Sequence, residues 1–132
     1  MREMYDINLK DSKPPMDWDH LRLSVEQDEN LLAQMIEIFL DQCPKSLRRL
    51  QKAIASQNTD DIEQAAHALK GILSHFGQSS AKSMANNIEN MARAGRMRRS
   101  HCLFDALAHE VTHMLSQMSL MWREIEHERC ID

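Results

Sequence analysis

Residues 59–77 read TDDIEQAAHALKGILSHFG, and the apolar side chains in this segment recur at the three- and four-residue spacing of an amphipathic α-helix. We expect Thr59 to cap the N-terminus of this helix and Gly77 to close it just after Phe76. On a helical wheel with His67 at zero, the large apolar side chains fall between about 120° and 240°. His67 therefore lies at the centre of the polar face, and we do not expect it to be buried in the core.

The residues that lie within about 60° of His67 on the same wheel include Glu63, Lys70, Gly71 and Ser74. The glycine is anomalous, because glycine inside a helix costs about 1 kcal/mol relative to alanine and this one faces away from the core. A missing side chain beside His67 would let another protein approach the imidazole closely, so the sequence predicts an exposed, functional histidine.

The same periodicity predicts further helices on both sides of this segment. Pro44 lies inside the longest of them and is expected to bend or split it, because proline removes a backbone donor and clashes with the preceding turn. The predicted segments are a short helix from Asp17 that carries Trp18, Leu21 and Leu23, a long helix from Gln27 or Asp28 to about Ser56, a helix that Ser79 or Ser80 caps and that ends at Gly95, and a last helix over about 101–128.

Four long amphipathic helices joined by short connections predict an all-α fold, namely an antiparallel up-and-down four-helix bundle with a short extra N-terminal helix. Residues 1–16 are polar and end in Lys13-Pro14-Pro15, so we interpret them as a lead-in or linker. The bundle is expected to span residues 17–130 as one domain, which suits a chain of 132 residues.

Charge and composition exclude several classes of function. The formal net charge is −4, with acids and bases interspersed, so nucleic acid is not an expected partner. No apolar stretch approaches the ~20 residues that a membrane span needs, and we expect no membrane association. The three cysteines are far apart and form no C-x-x-C pair, which indicates a reducing, cytoplasmic setting.

The segment around His67 resembles the phosphoryl-site signature of histidine phosphotransfer (HPt) domains. That signature has an alanine–histidine pair, then a lysine and a glycine three and four residues on, and residues 66–71 read AHALKG. The resemblance covers about residues 17–126. Its other matches, in the family's order and at its separations, are Phe39-Leu40 followed by Pro44, Phe76-Gly77, Ile88-Glu89 and Ala92-Arg93-Ala94-Gly95.

The resemblance implies a phosphorelay intermediate. His67 would accept a phosphoryl group from an aspartyl phosphate on a receiver domain and transfer it to another response regulator. The implied partners are the receiver domains of a hybrid sensor kinase and of a response regulator. The receiver would supply Mg²⁺, so this chain would need no cofactor of its own. The resemblance also implies a monomer that acts as a phosphocarrier without an independent catalytic cycle.

The candidate site residues have distinct expected roles. His67 is the predicted nucleophile, because neutral imidazole is competent near neutral pH. Lys70, one helical turn away, could stabilise the phosphoryl oxygens. By the resemblance, Glu89 would hydrogen-bond one ring nitrogen and leave the other free to attack. Glu63 could form an ion pair with His67 or with the partner. The residues expected to border the docking surface are Gly71, Ser74 and Gln78.

Two alternative functions stay open at this point. Residues 109–113 match the H-E-x-x-H pattern of zinc peptidases, in which His109 and His113 would bind the metal beside Glu110. This alternative is disfavoured because Val111 belongs to the core stripe, which turns the two histidines outward, and because no strand or third ligand is predicted. The other alternative is a non-catalytic helical adaptor that binds its partner through a methionine-rich face.

Overall fold

The computed structural model describes residues 21, 23, 25–26, 28–75 and 79–131. Within these residues the chain forms four long helices and no strand. Helix α2 packs against α1 and α3, and α4 packs against α3 and α1, so the four helices enclose one core. The predicted all-α four-helix bundle is confirmed. The helices are α1 (Glu29–Ser56), α2 (Thr59–Ser74), α3 (Ser80–Arg93) and α4 (Ser100–Ile131).

The N-terminal predictions fall mostly beyond the described part of the chain. Leu21 and Leu23 are helical, and Leu21 is fully buried in the core. Asp17 and Trp18, which were expected to begin the short helix, lie outside the described residues, as does the predicted lead-in over residues 1–16. None of the described helices contains a stretch apolar enough to span a bilayer.

Helix α1 is continuous through Pro44, so of the two predicted effects, a bend or a split, the split is wrong. Proline removes one backbone donor, but packing on both sides of it outweighs this local loss. Phe39 and Cys43 are buried before the proline, and Leu50 is buried after it. Asp28 is the N-cap of this helix, and its carboxylate accepts hydrogen bonds from two backbone N–H groups of the first turn.

The N-cap of α2 differs from the predicted one. Asn58 caps the helix, since its side-chain oxygen accepts a hydrogen bond of 3.1 Å from the backbone N–H of Asp61. Thr59, the predicted cap, is the first helical residue instead. Both residue types suit an N-cap, and asparagine ranks above threonine there. At the other end α2 stops at Ser74, while Phe76 and Gly77 lie outside the described residues.

Helix α3 begins and ends as its sequence predicts. Ser79 is the N-cap and accepts a hydrogen bond from the backbone N–H of Lys82 at 3.1 Å. Gly95 follows the last turn with a φ of +73°. The N–H of Arg96 then donates to the carbonyl of Met91 at 2.8 Å, which is the closing bond of a Schellman motif. The glycine is needed here because L-residues rarely adopt this left-handed conformation.

The core favours a close approach between α2 and α3. Both helices bury alanines as well as large aliphatic side chains, and small side chains let two helix backbones come near each other. This pair makes the most extensive helix–helix contact in the described bundle. The polar groups along the outer edge of the α2–α3 seam are therefore brought together. The buried residues are Ile62, Ala65, Ala66, Leu69 and Leu73 in α2, and Ala81, Ala85, Ile88, Glu89 and Ala92 in α3.

Candidate functional site

The imidazole of His67 stands on the outer face of α2. Its side chain is 69% exposed, as the wheel predicted from the apolar residues on the opposite face. The ring is nevertheless held in place, because Nδ1 lies 3.0 Å from Oε2 of Glu89 on α3. The other ring nitrogen, Nε2, has no hydrogen-bond partner among the described residues. The histidine is thus both accessible and oriented.

The carboxylate of Glu89 is buried at the α2–α3 seam. Its side chain is only 4% exposed, which is unusual for a glutamate unless it is paired. Three basic side chains pair with it. Besides His67, Lys70 places Nζ 2.7 Å from Oε1, and Arg93 places Nη2 2.9 Å from Oε2. The burial is therefore compensated by charge and by hydrogen bonds.

These partners keep Glu89 ionised. Burial alone would raise the pKa of this carboxyl, but hydrogen bonds from Lys70 and His67 and the positive charge of Lys70 outweigh it and hold the pKa below its ordinary value. An ionised carboxylate can only accept hydrogen bonds. Nδ1 of His67 must therefore carry the hydrogen in this contact, and in a neutral ring the lone pair lies on Nε2, which faces solvent.

Lys70 is anchored rather than free. Its ammonium contacts Glu89 and also donates to Oδ1 of Asn86 at 3.1 Å. Asn86 was not singled out from the sequence, although a signal for it existed. It precedes Glu89 by three residues on α3, so both side chains point from the same face toward α2. Lys70 lies near His67 as predicted, but its present contacts hold it at the carboxylate.

Glu63 contacts Arg93 and not His67. Its Oε2 lies 2.9 Å from Nε of Arg93, and this hydrogen bond and the charge of Glu63 raise the pKa of the guanidinium further. Of the two expected ion pairs of Glu63, the one with His67 is therefore wrong, and the one with a partner protein stays a prediction. Arg93 outcompetes the ring because it is always charged and reaches Glu63 and Glu89 together. In the sequence, Arg93 belongs to the match with the HPt pattern, and no role beside His67 was predicted for it.

An open cleft of about 550 Å³ lies beside the ring. Gly71 forms part of its wall, and a Cβ atom added there would meet nothing within 4 Å. Ser74 also lines the cleft, and its hydroxyl donates to the carbonyl of Gly71 at 2.7 Å. Gln78, the other predicted border residue, lies outside the described residues. The lining carries no carboxylate and consists of His67, Lys70, Gly71, Ser74, Lys82, Ser83 and Asn86.

The H-E-x-x-H segment lies elsewhere, on α4. His109 and His113 are exposed, and Val111 between them is fully buried. In the described part of the chain, no group of three or more His, Cys, Asp or Glu side chains could hold a metal ion. Among those described residues, the segment has no third ligand of the kind that a zinc peptidase requires, and we propose no peptidase function.

Comparisons with known proteins agree with this geometry. The family model of the Hpt domain matches residues 34–119. The crystal structure of histidine-containing phosphotransfer protein B (HptB) from Pseudomonas aeruginosa PAO1 is similar, with a TM-score of 0.79 and 21% sequence identity over 86% of this chain and 98% of that chain. At that identity the likeness concerns the fold. No curated protein sequence shows a significant match.

The family match covers the helices that build the site. Residues 34–119 include all of α2 and α3, and therefore His67, Lys70, Glu89 and Arg93. Hpt domains are the histidine phosphotransfer components of two-component phosphorelays, in which they work with receiver domains. Since the family model matches well over half of the length of this chain, the chain belongs to the Hpt domain family.

Proposed function

We propose that His67 is the phosphoacceptor, and that Nε2 carries a phosphoryl group between aspartates of two receiver domains. The observation that carries this proposal is the pairing of an imidazole that is 69% exposed with a carboxylate that is 4% exposed. The carboxylate holds Nδ1, so the lone pair of the neutral ring is directed away from the bundle. No other histidine in the described residues has such a contact.

The transfer step follows from this arrangement. The lone pair of Nε2 attacks the phosphorus of an aspartyl phosphate, an N–P bond forms, and the P–O bond to the aspartyl carbonyl group breaks. The released aspartate leaves as a carboxylate with the electron pair of that bond. The ring now carries a phosphoryl group on Nε2 and a hydrogen on Nδ1, so it has gained positive charge. Glu89 stabilises this charge through Nδ1, as a carboxylate does for an imidazolium in other nucleophilic sites.

In the return step the N–P bond breaks and a P–O bond forms. The aspartate of a second receiver attacks the phosphorus, the N–P bond breaks, and the electron pair returns to Nε2. Phosphoryl transfer of this kind depends mainly on positioning and charge stabilisation. The chain supplies the oriented ring and a cleft that contains two lysines, Lys70 and Lys82. Gly71 leaves the approach to the ring open.

The partners in this proposal are the receiver domain of a hybrid sensor kinase as donor and a response regulator as acceptor. Mg²⁺ comes from the receiver, since the cleft beside His67 has no carboxylate in its lining to hold a divalent cation. The chain works as a monomeric phosphocarrier in the cytoplasm. A reducing location is supported by Cys43 and Cys102, which are both free thiols.

The test is phosphoryl transfer from purified receiver domains that have been phosphorylated with acetyl phosphate and Mg²⁺. We expect an acid-labile, alkali-stable phosphoryl group on the wild-type chain, and mass spectrometry of peptides should locate it on His67. His67→Gln should fold normally and take up no phosphate. His75→Gln is the matched control, because His75 is also exposed and is the C-cap of the same helix. Labelling of the His67→Gln chain would contradict the proposal.

A further inference from the structure

The groups around His67 form a charge-balanced cluster. Glu89 and Glu63 carry two negative charges, and Lys70 and Arg93 carry two positive ones, so the four charges sum to zero apart from the ring itself. The cluster is connected by contacts of 2.7 to 2.9 Å. The two cations also contact different oxygen atoms of Glu89. Lys70 contacts Oε1 of Glu89, whereas Arg93 contacts Oε2, the oxygen atom that accepts from Nδ1 of His67.

This balance meets a specific requirement of the reaction. The incoming phosphoryl group is negatively charged, and it must reach Nε2, on the far side of the ring from Glu89. An uncompensated carboxylate that contacts Nδ1 repels an anion that approaches Nε2, and the repulsion is strong where the carboxylate is buried away from water. The site therefore needs an oriented acceptor for Nδ1 without the net negative charge that such an acceptor normally brings.

We infer that Arg93 is a positioning residue for phosphoryl transfer, which compensates the charge of Glu89 and fixes its Oε2 atom against Nδ1 of His67. This inference rests on the proposed role of His67. Arg93 lies one turn after Glu89 on α3, and its guanidinium reaches across the seam to Glu63 on α2. Glu63 thus anchors the guanidinium from the other helix. Nε of Arg93 donates to Glu63 and Nη2 donates to Glu89, so one planar group makes both hydrogen bonds.

Arg93 does not substitute for Lys70 in this arrangement. Lys70 is held by Asn86 and contacts only the Oε1 side of the carboxylate. If Arg93 were removed, Oε2 would keep only the ring as its partner, and the cluster would carry a net charge of −1. The carboxylate would then be less well oriented and more repulsive toward the phosphoryl group. Both effects slow the approach of the phosphorus to Nε2.

A double-mutant cycle with Arg93→Gln and Glu89→Gln tests the inference. Glutamine at 89 can still accept a hydrogen bond from Nδ1 through its amide oxygen but carries no charge. In the wild-type background, Arg93→Gln should slow transfer about tenfold, less than the ~10²–10³-fold of a direct transition-state contact. In the Glu89→Gln background, the same substitution should slow transfer by less than about twofold, because there is no charge left to compensate.

Controls separate this role from a loss of fold. Arg98→Gln is the matched control, since Arg98 is an exposed arginine outside the cluster, and it should keep the wild-type rate. Far-UV circular dichroism and thermal unfolding check that each variant folds. Glu63→Ala gives a second measurement with Arg93 intact. It removes the anchor of the guanidinium and should slow transfer about threefold, less than the loss of the guanidinium itself.

Three outcomes decide the matter. A wild-type rate in Arg93→Gln overturns the inference and leaves the role of His67 intact. Equal slowing in both backgrounds also overturns it, because Arg93 would then act on the receiver and not through Glu89. If the wild-type chain is never phosphorylated on His67, the proposed function itself fails and takes this inference with it.

Discussion

Replacement of Gly71 by alanine should stabilise the bundle and slow phosphoryl transfer at the same time. Gly71 lies inside α2, three residues before its end, and its position is exposed. A Cβ atom placed there meets nothing within 4 Å. The described structure therefore has space for a side chain at position 71. Internal packing does not explain the glycine, and another reason is needed.

The size of the stabilisation follows from helix propensity. Alanine is more favourable than glycine inside a helix by about 0.8 kcal/mol, because the unfolded glycine chain has more conformations to lose. For a chain of this size that corresponds to a rise in Tm of about 3 °C. Gly95→Ala is the matched control with the opposite sign. Gly95 has a φ of +73°, where an alanine should destabilise by about 1 kcal/mol.

The effect on transfer comes from the position of Gly71 in the cleft wall beside His67. A methyl group should slow transfer by a few-fold, and Gly71→Leu should slow it by at least tenfold, because a displacement of the reacting atoms of about 1 Å can cost about 100-fold. Gly95→Ala should lower stability without slowing transfer. The two glycines thus separate the stability of the bundle from the access of a partner to the ring.

Urea unfolding measures the first effect, and single-turnover transfer from a phosphorylated receiver domain measures the second. Both are run on the same preparations of wild type, Gly71→Ala, Gly71→Leu and Gly95→Ala. The reasoning is refuted if Gly71→Ala is less stable than wild type, since the space around its Cβ would then be misjudged. It is refuted equally if Gly71→Leu is stable and transfers at the wild-type rate.

Three further predictions concern single residues. The pKa of Glu89 is below its ordinary value of 4.5, so the stability that its charge contributes is fully present above about pH 4.5 and is lost as the pH falls through the lower pKa of the folded state. In urea titrations, the difference in unfolding free energy between wild type and Glu89→Gln should therefore shrink below about pH 4.5. A difference that stays constant with pH would count against this prediction. Lys82→Ala should slow transfer by a few-fold, since Lys82 lines the cleft, and should change the unfolding free energy by less than about 0.5 kcal/mol; an unchanged rate would remove Lys82 from the site. Asn58→Ala should lower the unfolding free energy by about 1 kcal/mol, whereas Thr59→Ala should not, and the reverse order would restore Thr59 as the cap of α2.

The parts of the structure that depend on one helix at a time could be predicted from the sequence. The exposure of His67 needs only the angle between successive residues and the positions of the apolar side chains around it. The end of α3 at Gly95 is equally local, because a Schellman motif is built from consecutive residues. The four-helix architecture follows from the number of amphipathic segments and their short connections.

Features that depend on the balance between two competing preferences were harder to predict. Asn58 and Thr59 both suit an N-cap, and the choice between them rests on which side chain meets a backbone N–H of the first turn. Pro44 has a strong local preference against the helix interior, yet the buried side chains before and after it keep α1 continuous. Propensity alone does not weigh a lost hydrogen bond against packing from other helices.

The cluster around Glu89 depends on how α2 and α3 lie side by side, which no single-helix pattern contains. Arg93 is four residues from Glu89, so its proximity to that carboxylate was local information. Its contact with Glu63 joins residues 30 positions apart and requires the register between the two helices. The sequence therefore showed the ring and its glycine, but not the arginine that completes the cluster.

The burial of Glu89 links the stability of the bundle to the orientation of the ring. A buried carboxylate without partners is strongly destabilising, so the folded chain must bring cations to it. Lys70 and Arg93 satisfy this need before any partner protein arrives, and His67 is drawn into the same set of contacts through Nδ1. Because the ring is already oriented by contacts that the fold itself requires, docking of a receiver domain has little left to rearrange at the histidine. In the function that we propose, selectivity among receivers would then come from the surface around the ring, where Gly71, Ser74 and Lys82 line the cleft.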